Sequence, residues 1–261
     1  MTGDYLNALS CCAMRLVKNI AGRIWAVWGI ISFIVTFVIV FIPSMITWLI
    51  PGRVGQRIFV AISRIWMNVW LRLVGCPVTI KGREHFIPGE TYIVTCNHNS
   101  LMDIPLSSPF IPGANKTIAK TSFAKVPLFG FYYMRGSVLV NRMSEKSRRE
   151  SFDKMKAVLA QGIHMCIYPE GTRNRSDEPM KKFHDGAFKL AVATRKAVIP
   201  AVIFNTKKAL PLHKTFFFRP QRLHMHFLEA VPVGNLTAVE LREKVFAVMS
   251  GYYAANAAKL A

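Results

Sequence analysis

Tyr92-Ile93-Val94-Thr95-Cys96-Asn97-His98-Asn99-Ser100-Leu101-Met102-Asp103 is the stretch on which the fold turns. Its first five residues are a short, apolar, β-branched run, the pattern of a strand buried on both faces. That places His98 at the strand's carboxyl end, where open α/β sheets carry their ligand sites. Asp103 follows five positions later. If the chain turns into a helix there, carboxylate and imidazole come together within about one helical turn. The pair then has the makings of a general base, since the carboxylate fixes the tautomer and stabilises the imidazolium that forms when the ring takes a proton from a hydroxyl. Taken alone the spacing is weak, because a capping Asn or Ser beside a structural His gives the same letters.

Other stretches change the weight of that pair. Tyr168-Pro169-Glu170-Gly171-Thr172-Arg173-Asn174-Arg175-Ser176 leaves a strand and turns at glycine, offering backbone N–H groups, a hydroxyl and two guanidiniums within a few residues. Such a loop suits an anion, and arginine can hold a phosphate bidentately. The bland alternative is a solvated turn with Glu170 paired to Arg173. Between the two lie Lys120, which begins Lys-Thr-Ser-Phe-Ala-Lys-Val-Pro-Leu-Phe-Gly, and Gly136-Ser137-Val138-Leu139-Val140-Asn141-Arg142, an apolar strand ending in arginine. Arg142 at a strand's carboxyl end can face the same rim as His98.

From Val78-Thr79-Ile80 onward, apolar strands alternate with helical patterns. The alternation predicts an α/β domain with a mixed, mostly parallel sheet flanked by helices. Ser144 to Gln161 is amphipathic and ends at Gly162, Ile163 to Tyr168 and Val198 to Phe204 read as strands, and Thr237 with Glu240 forms a capping box for a last helix. Ahead of this domain, Ile24 to Gly52 holds no ionisable residue, and Ile24 to Ile42 alone makes a helix about 28 Å long, close to the hydrocarbon thickness of a bilayer. Pro43 predicts a break or a hairpin there, with basic residues on both flanks. Val54 to Val74 sets Arg57, Arg64, Asn68 and Arg72 against Ile58, Ile62, Ile65, Trp66, Val69 and Leu73, the pattern of a helix lying in a membrane interface. Two parts are expected: a helical membrane-associating segment over 1–75 and a catalytic domain over 76–261.

Composition narrows the partners. Lys+Arg 34 against Asp+Glu 14 gives +20 in a chain that is 52% hydrophobic. Nucleic-acid binders share the charge but seldom the greasiness, so the balance favours an anionic lipid surface over nucleic acid. The five cysteines form no C-x-x-C pair and argue for a reducing compartment.

Together these stretches resemble the glycerolipid acyltransferase family, specifically the 1-acylglycerol-3-phosphate acyltransferases. Its N-H-x-x-x-x-D motif matches His98 and Asp103, its G-x-x-aromatic-x-x-R motif matches Gly136 and Arg142, and its aromatic-P-E-G-T-R motif matches Tyr168 to Arg173. An apolar strand with proline matches Val198 to Val202. The resemblance implies transfer of an acyl chain from acyl-CoA or acyl carrier protein to the free hydroxyl of a lysophospholipid such as lysophosphatidic acid, giving phosphatidic acid at the cytoplasmic face of a membrane. It implies His98 as base and Asp103 as its partner. Glu170, Gly171, Thr172, Arg173 and Arg142 then hold the acceptor, and no cofactor or metal is called for. Lys120 or a nearby backbone amide is the candidate oxyanion donor. Two departures stand out: Leu139 replaces an aromatic, and His184-Asp185 precede Gly186 where the family often carries two lysines.

Three rivals remain. His224 and His226 share a strand face but lack a well-spaced acid, so a metal hydrolase is poorly supported and partly exposed strand histidines are the simpler reading. A membrane-attached nucleic-acid binder would use the charge but lacks interleaved exposed aromatics. An O-acyltransferase acting on an amino-acid lysolipid, of ornithine or glycine type, shares all the motifs, and His184 with Asp185 would suit such an acceptor by weakening the field for a phosphate.

Overall fold

The computed structural model describes residues 2–141, 143–176 and 178–260, with side chains from Ala13 onward. The chain opens with α1 (Thr2–Ile46), which runs through Pro43 instead of breaking there. Proline loses one hydrogen bond to the preceding turn, and so close to the helix end that loss does not stop the last few residues. The change of direction comes later, in a 3-10 turn at Thr47–Leu49 and in Ile50-Pro51-Gly52, where Gly52 adopts φ +64°. α2 (Gly52–Leu73) then returns along α1. Indole N–H groups tie the hairpin together: Trp25 and Trp28 donate to the carbonyls of Val74 and Leu73, Trp70 to that of Gly29, and Trp66 to the Thr36 hydroxyl. Among the described residues, α1 is the one helix long and apolar enough to cross a membrane.

α2 differs from the interfacial helix the sequence predicts. Phe59, Val60, Trp66, Met67, Trp70 and Leu71 are buried, while Ile58, Ile65, Val69 and Leu73 form an exposed apolar stripe. Arg64 is not free either, because it donates to the carbonyls of Pro109 (2.7 Å) and Ile111 (2.8 Å). A helix with apolar residues on two faces buries one and leaves the other for a second medium. Trp66, Met67, Trp70 and Leu71 share one apolar cluster with Cys76, Val94 and Ile199, so the boundary expected at residue 75 falls inside a common core.

The remaining elements follow in order: β1 (Val78–Lys81), β2 (Ile93–Cys96), α3 (Asp103–Ser107), β3 (Asn115–Lys120), α4 (Phe129–Gly136), β4 (Ser137–Val140), α5 (Glu145–Ala160), β5 (His164–Ile167), α6 (Gly186–Thr194), β6 (Val198–Phe204), α7 (Thr206–Ala209), β7 (Leu223–Phe227) and α8 (Ala238–Asn256). The strands form one sheet in the order β1-β7-β6-β2-β5-β3-β4. Every pairing is parallel except β6 with β7.

Alternation along the central strands feeds two cores. Val94, Cys96, Ile199, Ala201 and Ile203 face the cluster that includes α1 and α2, whereas Ile93, Val198, Val202 and Phe204 face the cluster built with α5, α6 and α8. Burial on both faces is why these strands read as continuous apolar runs. The helix caps come out as their sequences require: Ser144 accepts from Ser147 N, and Thr237 and Glu240 cap each other reciprocally. At the hairpin corner, Arg135 of α4 donates to Thr47 and Gln56, and Gln56 in turn donates to the carbonyl of Asn115 at the start of β3. The apolar hairpin is thereby keyed to the sheet by buried hydrogen bonds as well as by packing.

Candidate active site

β2 lies in the middle of the sheet between β6 and β5, so the chain leaving it emerges at the centre of the carboxyl rim. Asn97 directs the exit. Its side chain donates to Ile203 O (3.0 Å) and accepts from Ile203 N (2.7 Å), extending the β2–β6 ladder by one residue. Beyond it the chain wraps around Asp103, which is fully buried. Asp103 Oδ2 accepts from Asn99 N (2.6 Å) and Ser100 N (2.7 Å), and lies 2.9 Å from His98 Nδ1. The approach of the two side chains is therefore made by a tight loop ahead of α3, not across a helical turn.

His98 is fixed from three further directions. Its N–H donates to Glu170 Oε1 (2.6 Å), its carbonyl accepts from Asn174 N (2.6 Å), and its ring stacks on Tyr168 with centroids 4.3 Å apart. Tyr168 is itself anchored by a 2.6 Å hydrogen bond between its hydroxyl and Ser107 Oγ. Burial pushes the Tyr168 phenol well above its ordinary range. With Nδ1 engaged by the carboxylate, Nε2 is the nitrogen left to act. The His98 side chain keeps 14% exposure while that of Asp103 keeps none.

Glu170 has a different place from the one expected of an acceptor-binding group. It is 1% exposed, and its two oxygens accept from His98 N and from Lys181 N (3.0 Å). Burial raises its carboxyl above the usual range, and the two amides oppose that shift. Gly171 sits at φ +71°, and Thr172 receives a 2.7 Å hydrogen bond from the Lys181 ammonium. Arg173 is half-buried beside them. Lys181 is thus a cation of this loop that the sequence reading passed over. Asp185 is ion-paired with Arg242 of α8 at 2.5 Å, so its charge is compensated there and does not simply weaken the loop's field.

Strand register places the other expected residues. Thr95 pairs with Ile167 and Cys166 with Thr117, which sets Lys120 level with Asn97 on the same rim. Two strand spacings separate β3 from β2, about 10 Å. Lys120 pairs with Val140, the last residue of β4. Arg142 lies outside the described residues. His224 and His226, expected to be partly exposed, are 7% and 2% exposed because β7 is paired on both sides and covered by α8; His226 Nδ1 meets the Tyr252 hydroxyl at 3.0 Å.

Beside the loop, an apolar cavity of about 580 Å³ runs between the helical hairpin and the sheet. Phe33 and Trp66 line it from the hairpin, Leu101 and Met102 from the loop itself, and Phe129 and Tyr132 from α4. An imidazole–carboxylate pair, a cationic loop and an apolar cavity therefore lie along one rim.

Residues 77–204 match the family model described as Acyltransferase. Just under half of the chain therefore resembles the acyltransferase family. The chain is 32% identical over 174 residues to a 1-acyl-sn-glycerol-3-phosphate acyltransferase of Chlamydomonas reinhardtii, covering 63% of this chain and 51% of that protein. It is 34% identical over 145 residues to the enzyme of that name from Cocos nucifera, covering 55% and 46%. The chain thus spans about half the length of these curated relatives. Its fold matches the crystal structure of the 1-acyl-sn-glycerophosphate (LPA) acyltransferase PlsC from Thermotoga maritima with a TM-score of 0.74 at 25% identity, covering 92% of this chain and 97% of that one.

His98 depends on Glu170 for its backbone position. Glu170→Gln presents an amide NH₂ where one of two N–H donors needs an acceptor, leaving a buried donor unpaired at a cost of about 1–3 kcal/mol. The variant is expected to melt earlier in detergent and to lose turnover while the KM for an anionic acceptor stays near the wild-type value. A raised KM with unchanged turnover would instead place Glu170 against the acceptor.

Proposed function

We propose that this protein transfers a fatty acyl group from acyl-CoA or acyl carrier protein to the sn-2 hydroxyl of 1-acyl-glycerol-3-phosphate, giving phosphatidic acid. The observation that carries this reading is the His98–Asp103 pair, whose carboxylate is fixed by two backbone amides and whose loop lines an apolar cavity through Leu101 and Met102.

His98 Nε2 takes the proton as the acceptor hydroxyl attacks the thioester carbonyl. Asp103 stabilises the resulting imidazolium, and collapse of the tetrahedral intermediate breaks the C–S bond. The thiolate leaves and recovers the proton from His98, so no covalent acyl-enzyme is needed. Lys120 serves the oxyanion from the same rim. Arg173 and Arg142, with Lys181 and the Gly171-Thr172 turn, supply the acceptor's phosphate site. Glu170 acts through the backbone of His98 as a positioning residue. The acyl chain occupies the apolar cavity.

The same reading puts α1 in the bilayer and the sheet on its cytoplasmic side. It is supported by the uncharged run from Ile24 to Gly52, by the exposed stripe of α2, and by the free thiols of Cys76, Cys96 and Cys166. The amino-acid lysolipid loses its main argument once Asp185 is paired with Arg242.

Purified full-length protein in detergent is expected to acylate lysophosphatidic acid. His98→Ala should abolish transfer with little change in melting temperature, and Asp103→Asn should slow turnover by roughly 10²–10⁴-fold; near-normal turnover in His98→Ala would overturn the assignment. Truncation at residue 75 is a poor test of the anchor, because it strips Trp66, Met67 and Trp70 from the core. Salt is the cleaner probe. At about 1 M salt, where charges are screened beyond roughly 3 Å, the protein should stay with anionic vesicles; release by salt alone would mean that α1 is not inserted.

A further inference from the structure

On the β6 side of His98 lies a second cavity, of about 310 Å³, whose lining differs in kind from the first. Asn99 and Asn205 border it, as do Lys208, His213 and Arg219, and no acidic residue does. One segment serves both cavities: Leu210 and Phe216–Phe218 line the apolar one, while Lys208, His213 and Arg219 of the same segment line the basic one. The loop after β2 is divided likewise, with Asn99 on the basic side and Leu101 and Met102 on the apolar side. His98, next to Asn99 in the chain, belongs to the loop that lines both cavities.

An acyl thioester has two unlike arms leaving its reacting carbonyl: a hydrocarbon chain, and a carrier arm with amides and a phosphate. We infer that the second cavity receives the phosphopantetheine arm of the donor, with the phosphate held by Lys208, His213 and Arg219. Its size is at the lower end of small-molecule sites. Asn99 and Asn205 can meet the amides of the arm, and Phe204 and Pro211 its apolar part. The cations are held ready by the fold. Arg219 Nε donates to Lys208 O (2.7 Å), which orients the guanidinium, and neither its terminal nitrogens nor the Lys208 ammonium has a protein partner among the described residues. Lys207 is already engaged, donating to Ser176 O at 2.7 Å, and so acts as wall more than as ligand. The acceptor's phosphate is separated from its reacting hydroxyl by only a short glycerol backbone and is accounted for by the Arg173 loop. The longer carrier arm is the group that needs a route of its own.

This inference rests on the acyl-transfer reading, and its test separates the two. Desulfo-coenzyme A and 4′-phosphopantetheine are titrated against full-length wild type, Lys208→Ala/Arg219→Ala, and Lys244→Ala as a remote charge control, alongside donor and acceptor kinetics. Both probes should bind wild type and the control, and the double variant should weaken both by about tenfold or more, as expected for lost charge-assisted hydrogen bonds. Its KM for whichever donor the wild type accepts, acyl-CoA or acyl carrier protein, should rise by a similar factor while the KM for lysophosphatidic acid stays unchanged; the accepted donor identifies the carrier. Unchanged binding of phosphopantetheine, loss of desulfo-coenzyme A binding alone, or a rise in the acceptor KM would overturn the assignment. Wild type that binds both probes but acylates no lysolipid would overturn the acyl-transfer reading and leave the cavity's assignment standing.

Discussion

Asp103 Oδ2 takes two backbone N–H groups and faces an imidazole nitrogen, all from the six residues ahead of it, and the carboxylate itself has no solvent access. An ionised carboxylate is costly to bury unless donors replace its water. Here the replacements come from the main chain of Asn99 and Ser100, so the cost of burial is offset only if the loop takes this one shape. Oδ1 has no hydrogen-bond partner among the described residues, so the carboxylate is held through Oδ2 alone. In the proposed reaction the imidazolium formed when His98 takes a proton would stand against that oxygen, 2.9 Å from Nδ1.

The neighbouring elements serve the same loop. Asn97 fastens it to β6, Glu170 and Asn174 fasten it to the segment after β5, and the Tyr168 ring supports the imidazole from beneath. Parallel strands bring all of these chain ends to one rim. The helical hairpin closes the apolar side of that rim, and its own fit is set by Arg135, Gln56 and the tryptophans. A shift of the hairpin would change the apolar cavity and leave the base in place. In the proposed reaction, chain selection and chemistry would be carried by different parts of one core.

Much of this was legible in the residue order. The central strands could be read because burial on both faces leaves unbroken apolar runs, and the helix ends at Ser144, Gly162 and Thr237 because caps have local chemistry. β3 was harder: Asn115-Lys116-Thr117-Ile118-Ala119-Lys120 carries two lysines and no alternation, being only partly buried near the sheet edge. α4 was missed because Phe129 to Arg135 is aromatic-rich and favours strand by propensity, its helix arising from packing against the hairpin. In α2 the apolar residues span two faces, and sequence alone does not say which face meets protein. The parts of the site that were missed are side-chain-to-backbone bonds between distant segments. Nothing in Glu170 announces that it will hold the amide of a residue 72 positions away, and Lys181 became visible as a loop cation only through its contact with Thr172.

The central claim is that Asp103 holds His98 in one tautomer, with the proton on Nδ1 and Nε2 bare. Nitrogen-15 spectra of histidine-labelled protein in detergent read this directly, with His98→Ala identifying the signal. Above the imidazole titration, one ring absent from the variant should show a protonated Nδ1 and an unprotonated Nε2, and Asp103→Asn should abolish that preference. A His98 ring protonated at Nε2 in the wild type would contradict the account.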